Sequence, residues 1–172
     1  FVDNNILKYE IRDKYDDLIR DTKLIEKHIF ESLAIKKKMV EKDEFDKGPR
    51  AIFNYGHTFG HAIEVISGFR ISHGQAVTRG MDIANFISLK ENKITCSIFK
   101  DNRSILEKNF PRIKININQI DDFIGLLKKD KKAHSGEIRC ILPENENNMI
   151  IHSIKDFIFL EKILSQYFEE IW

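Results

Sequence analysis

Four polar side chains recur at helical spacing in the stretch Arg50-Ala-Ile-Phe-Asn-Tyr-Gly-His-Thr-Phe-Gly-His-Ala-Ile-Glu64. Read as one helix over 52–67, Asn54, His57, His61 and Glu64 stand at i, i+3, i+7 and i+10, a continuous polar line. Ile52, Phe53, Phe59, Ala62, Ile63, Val65 and Ile66 surround that line. A helix apolar nearly all round is expected to be buried at the centre of its domain. A polar line through a buried helix is costly unless each group has a partner. A metal ion, a substrate or both would supply those partners.

The i, i+4 spacing of His57 and His61 lets two imidazoles converge on one ion, the geometric logic of the zinc helix H-E-x-x-H. Thr58 follows the first histidine here, so the metalloprotease motif is absent. A bare HxxxH also describes two structural histidines satisfied by the core, and that reading stays open. His73, in Ile71-Ser-His-Gly-Gln-Ala-Val77, is a third imidazole. Ser72 can cap a helix beginning there. The positive end of the helix dipole disfavours imidazolium, which keeps His73 neutral and able to ligate.

The elements that must position these residues are mainly helical. Residues 1–22 read as an irregular or helical lead-in. From Thr22 to Lys42, Ile25, Ile29, Leu33, Lys36 and Val40 recur on one face. Lys36 is there either a snorkelling side chain or a cation aimed into a site. Asp43 to Pro49 is a polar connection broken by Gly48-Pro49. Arg50 follows, as a surface charge or as a fork suited to a phosphate beside Asn54 and His61. Gly68 ends the central helix, and Gly74 to Lys90 reads as a second buried helix, with Arg79 and Asp82 as a surface pair. Thr95 can cap a helix to Lys108. Ile113–Asn118 reads as a strand or a linker. Asp121 and Asp122 start a helix that runs into the basic cluster Lys128-Lys-Asp-Lys-Lys132. Glu137–Leu142 and Met149–His152 read as a hairpin. Ser153 can cap a last helix.

The motif Asn-Tyr-Gly-His-Thr-Phe-Gly-His-Ala-Ile-Glu, preceded by Asp43-Glu-Phe-Asp-Lys-Gly-Pro-Arg50 and followed by Ser-His-Gly-Gln-Ala-Val, resembles the 3-dehydroquinate synthase family of sugar-phosphate cyclases. The resemblance runs from about Ile29 to Leu142. It implies a mostly α fold with one small β-hairpin over residues 1–172, the C-terminal metal- and substrate-binding domain of a two-domain protein. The family's N-terminal α/β domain, which binds NAD, is absent: the chain has no GxGxxG and no βαβ run, so no NAD-binding residue is assigned.

The same resemblance implies Zn2+ (or Co2+) on His57 and His73, with a third ligand, a Glu, upstream. It implies His61 and Asp46 as catalytic acid–base groups. Lys36, Arg50, Asn54 and Lys131 would hold the substrate, Lys131 through the order Asp130-Lys131-Lys132, Gly136 and a strand. Asp46 stands where the family has a glutamate, His73-Gly74-Gln75 where it commonly has His-Gly-Glu, and Glu144–Asn148 replaces the usual ending. The faint echo of a Glu-x-x-Lys-Tyr segment in Asn5–Tyr9 is not counted. The implied activity is a carbon–oxygen lyase that closes a phosphorylated seven-carbon sugar acid into a carbocycle with loss of phosphate, in the shikimate pathway. A cyclase of sedoheptulose 7-phosphate and a non-catalytic remnant are the alternatives, and the chain alone is expected to be inactive.

Composition bounds these readings. At 172 residues, one domain with a real core is expected. With 28 Lys+Arg against 27 Asp+Glu, the charge gives no case for nucleic acid. No apolar run reaches membrane-spanning length. Two distant cysteines, Cys96 and Cys140, fit reduced thiols in a cytoplasmic protein. Phe1 in place of Met leads to the expectation of a piece of a longer protein, homodimeric when full length, whose partner is a small sugar phosphate.

Overall fold

The computed structural model describes residues 5–45, 48–111, 119–131 and 136–170. The chain divides into two compact units, residues 1–53 and 54–172.

The first unit contains helix α1 (Asn5–Leu18), kinked at Lys14, and helix α2 (Thr22–Lys42). Asp21 starts α2, its carboxylate accepting from the backbone N–H of Lys23 and Leu24 at 2.9 and 3.2 Å. The sequence face Ile25–Ile29–Leu33–Lys36–Val40 is not a buried stripe: Ile29 and Leu33 are 53% and 58% exposed and Lys36 is exposed. His28 is instead the buried residue of α2. Beyond α2, Asp43 folds the connection back, Oδ2 accepting from the backbone N–H of Gly48 and Arg50 at 2.8 and 3.1 Å.

The second unit is organised around α4 (His73–Lys90), which packs against α3 (His57–Ile66), α5 (Cys96–Leu106), α7 (Phe157–Glu170) and strand β1 (Ile138–Pro143). Its residues from Ala76 to Ser88 are almost all buried. The expected central helix over 52–67 takes a different form. A 3-10 helix spans Pro49–Asn54, Gly56 turns the chain at φ +81°, and α3 begins at His57. The polar line Asn54–His57–His61–Glu64 is therefore not one helical face. Nor is α3 buried all round, since His61 and Val65 are exposed.

Close packing explains the break. A methyl group on Gly80 of α4 would collide with the Gly56 carbonyl oxygen. A Cβ on Gly60 would lie 2.9 Å from the Val77 Cα. The α3–α4 crossing is thus a glycine-lined backbone contact, and the left-handed turn at Gly56 aims α3 across it.

Arg79 and Asp82 are not a surface pair. They are 4% and 0% exposed, because α4 is covered on every side that carries them. Asp82 Oδ2 accepts from Tyr167 Oη at 2.5 Å and pairs with Arg103 Nη1 at 3.2 Å. The Arg79 guanidinium stacks 4.1 Å from the Phe110 ring centroid.

The remaining elements follow the sequence closely. Thr95 Oγ1 caps α5 by accepting from the Ile98 N–H at 3.3 Å. Asp121 and Asp122 lie in the first turn of α6 (Ile120–Lys131). β1 pairs antiparallel with β2 (Met149–Ile154), in register Ile138↔Ile154 to Pro143↔Met149. The last helix is capped by Asp156, which accepts from the Phe159 N–H at 2.9 Å. Ser153 lies in β2 and donates to Glu137 Oε1 at 2.8 Å. Ile113–Asn118 lies outside the described residues. Among the described residues, no helix is long and apolar enough to cross a membrane.

Candidate metal centre

Three imidazoles meet at the α3–α4 crossing. His57 and His61 come from successive turns of α3, and His73 is the first residue of α4. The ring centroids of His57 and His61 are 5.5 Å apart, those of His57 and His73 5.4 Å, and those of His61 and His73 5.9 Å. His61 and His73 are exposed and His57 is half-buried, so the cluster opens to solvent on one side. Ser72 ends its role at the N-cap position without capping by its side chain, and donates instead to Gln75 Oε1 at 3.1 Å.

Glu64 completes the cluster. Its two carboxylate oxygens lie 3.1 and 3.2 Å from His73 Nδ1. A carboxylate on Nδ1 holds the proton there and leaves Nε2 as a lone pair for an ion. Glu64 stood on the sequence's polar line but outside the candidate set. The i+3 spacing from His61 was the available signal. Its partner His73 lies on the next helix, and only the glycine crossing brings the two together.

His57 is held neutral. Burial lowers its pKa below the ordinary value, and His61 and His73 push the same way against Glu64 and a backbone interaction with Tyr55. Its Nδ1 is buried without a partner of good hydrogen-bond geometry. Three imidazoles and a carboxylate gathered at an opening are a donor set that fits a zinc-class ion. Donor atoms of His61, Glu64 and His73 already lie within 4.8 Å of one another.

Asn54 is an exposed residue at the end of the 3-10 helix. Arg50 Nη1 donates to the Glu44 carbonyl at 2.8 Å, and Lys36 is exposed on α2. Both belong to the first unit. Asp46 lies outside the described residues, as does the side chain of Lys131 at the end of α6.

The family model described as 3-dehydroquinate synthase C-terminal matches residues 1–133. The chain belongs to that family. The match reaches back well before Ile29, across the Asn5–Tyr9 segment. A 3-dehydroquinate synthase of Dictyoglomus thermophilum is 42% identical over 128 residues, covering 74% of this chain and 36% of that protein. One of Bacillus cereus is 36% identical over 152 residues, covering 87% and 41%. The chain thus spans about two fifths of the length of the curated relatives it matches. Among solved structures, ValA, the 2-epi-5-epi-valiolone synthase of Streptomyces hygroscopicus subsp. jinggangensis 5008, superposes with a TM-score of 0.78 at 14% identity. That match covers 98% of this chain and 48% of ValA, which was solved with NAD+ and Zn2+ bound. At that identity the likeness establishes the fold: a mostly helical domain of the cyclase type with one two-stranded antiparallel sheet.

Proposed function

We propose that this chain is the metal- and substrate-binding part of a 3-dehydroquinate-synthase-type lyase, which closes a phosphorylated seven-carbon sugar acid into a carbocycle with loss of phosphate. The observation that carries the proposal is the convergence of His57, His61 and His73 at the α3–α4 crossing, with Glu64 seated on His73. Identity of 36–42% to 3-dehydroquinate synthases favours the sugar acid over a sedoheptulose-type substrate.

His57 and His73 supply the imidazoles for Zn2+, with Glu64 orienting the His73 ring. A bound zinc ion would supply Lewis-acid polarisation of a substrate hydroxyl or ketone. NAD, held by a nucleotide-binding half, would supply the transient oxidation that makes the neighbouring C–H acidic. This chain's own part is to place the substrate and move its protons. His61 is exposed at the mouth of the cluster, one helical turn beyond His57, so it can exchange a proton with an oxygen of a bound substrate. Arg50, Lys36 and Lys131 are the cations assigned by resemblance to the phosphate and carboxylate, with Asn54 as an amide donor. Asp46 is assigned the remaining acid–base role on the same ground.

The test separates His57 from His61, which HxxxH spacing treats alike. Zinc content of His57→Ala and His61→Ala is measured together with phosphate release by the full-length protein. His57→Ala is expected to lose the metal. His61→Ala is expected to keep it and lose roughly 10²–10⁴-fold in turnover, the range for a general acid–base group. A metal-free His61→Ala would make His61 a ligand and overturn the assignment.

A further inference from the structure

The first unit contains a second group of metal-ligating side chains that nothing above uses. His28 of α2 is 6% exposed, and neither of its ring nitrogens has a hydrogen-bond partner. An imidazole buried with neither nitrogen hydrogen-bonded carries a desolvation cost. Glu31 stands one turn further on the same face, with Oε2 3.5 Å from His28 Nδ1. Glu10 reaches in from α1. Donor atoms of Glu10, His28 and Glu31 all lie within 4.8 Å of one another. Both carboxylates are half-buried rather than fully solvated.

A cation already occupies the mouth of this group. Lys27 Nζ lies 3.5 Å from Glu10 Oε2 and 3.8 Å from Glu31 Oε1, on a side chain half exposed to solvent. The ammonium bridges the two carboxylates but has no lone pair and no proton acceptor to offer the imidazole. It therefore neutralises the acids and leaves His28 unsatisfied. A divalent ion would answer all three groups at once, and the exposed Lys27 stem can swing away to admit it.

We propose that Glu10, His28 and Glu31 form a divalent-metal site within residues 1–53, taking a transition-metal ion of the zinc class. One imidazole and two carboxylates are a mixed nitrogen and oxygen set of the kind such ions accept. Small rotamer changes of Glu10 and Glu31 bring the donors to the about 2.0–2.2 Å that zinc requires. The proposal does not depend on the function assigned to the histidine cluster of the second unit, since no residue is shared.

The experiment is a Zn2+ titration of the whole 172-residue chain, with helicity checked by circular dichroism. A variant with His57, His61 and His73 all replaced by Ala silences the other cluster. It is expected to retain one equivalent of zinc per chain, and adding His28→Ala should weaken that equivalent beyond the about 10–100-fold that loss of an outer-shell partner costs. In the otherwise unchanged chain, Lys27→Met removes the competing ammonium without touching a ligand. It should tighten one binding phase by roughly two- to tenfold, the scale of an exposed ion-pair competitor. Failure of the triple variant to bind zinc overturns the proposal. So does a retained equivalent that survives His28→Ala, or a Lys27→Met affinity that is unchanged or weaker.

Discussion

Helix α4 carries two polar clusters of opposite character. At its first residue, His73 meets His57, His61 and Glu64 in a group open to solvent on one side. In its middle, Asp82 is fully buried with Tyr167 and Arg103 on the same carboxylate oxygen, while Arg79 stacks on Phe110 nearby. The second cluster is closed by groups from α5 and α7, so its charges hold elements together. The first keeps one side open to solvent, where His61 and His73 are exposed. A polar cluster shut off by neighbouring elements serves the structure, and one whose imidazoles and carboxylate face an opening can take a ligand. The two lie on one helix, which allows each to be perturbed with the other as its control.

The largest effect is expected at the closed cluster. Asp82→Ala removes the carboxylate that the Arg103 guanidinium and the buried Tyr167 hydroxyl share. Removing one partner of a buried ion pair costs about 3–5 kcal/mol. Urea unfolding followed by circular dichroism should show that loss, while zinc affinity measured on the folded protein stays at the parent value. A matching loss of zinc affinity would mean the two clusters are coupled along α4 rather than independent.

Gly80→Ala is the substitution expected to reach both. Its methyl collides with the Gly56 carbonyl, so α3 and α4 must separate. Overpacking of this kind costs about 1–3 kcal/mol. Because His57 and His61 ride on α3 and His73 on α4, zinc affinity should fall as well. Destabilisation with zinc affinity unchanged would show that the crossing does not position the histidines.

How far these clusters were legible in the sequence differs for the same physical reason. Local signals read correctly: Thr95 and Gly68 act within a turn of their own element, and the β1–β2 hairpin is a neighbour pairing. The motif residues His57, His61 and His73 were also legible, as types and spacings. Pairings across elements were not. Asp82 looked like a surface charge because Tyr167 and Arg103 are distant in sequence. Glu64 was left out of the site because its partner lies beyond a loop. The expected helix from 52 failed at Gly56, where hydrophobic periodicity continues through a residue whose backbone the close α3–α4 contact forces into the left-handed region. Cys140 shows the same limit: burial raises its thiol pKa to about 12, which one strand's pattern could not reveal.

A smaller effect tests the open cluster alone. Glu64→Gln keeps the side chain's size and removes the charge that fixes the His73 tautomer. Loss of a carboxylate behind a ligating histidine costs roughly 10–100-fold in metal affinity. The melting temperature of the metal-free chain should be nearly unchanged, since the Glu64–His73 contact lies at a half-open site. A loss far beyond that range would place Glu64 on the ion itself, in the set His61–Glu64–His73 whose donor atoms already converge.

The smallest expected effect is a slope, and it sets the two clusters against each other by sign. The folded-state pKa of His57 is lowered, chiefly by burial and then by the neighbouring imidazoles. The unfolded chain therefore binds more protons at His57 once pH falls below about 6.5, the ordinary histidine value. Stability from this residue is present above that pH and is lost as pH falls towards the folded pKa. Asp82 runs the other way. Burial raises its folded pKa despite Arg103 and Tyr167, so its contribution is present at low pH and is lost as pH rises through the folded pKa. Melting temperatures of the chelated protein, measured from pH 7 down to pH 5.5, should fall in the parent and fall less in His57→Gln. The same measurement on Asp82→Asn should leave the His57 decline in place. An identical slope in parent and His57→Gln would mean that His57 titrates alike in the folded and unfolded chains, and that its buried ring nitrogen is not held poised for a ligand.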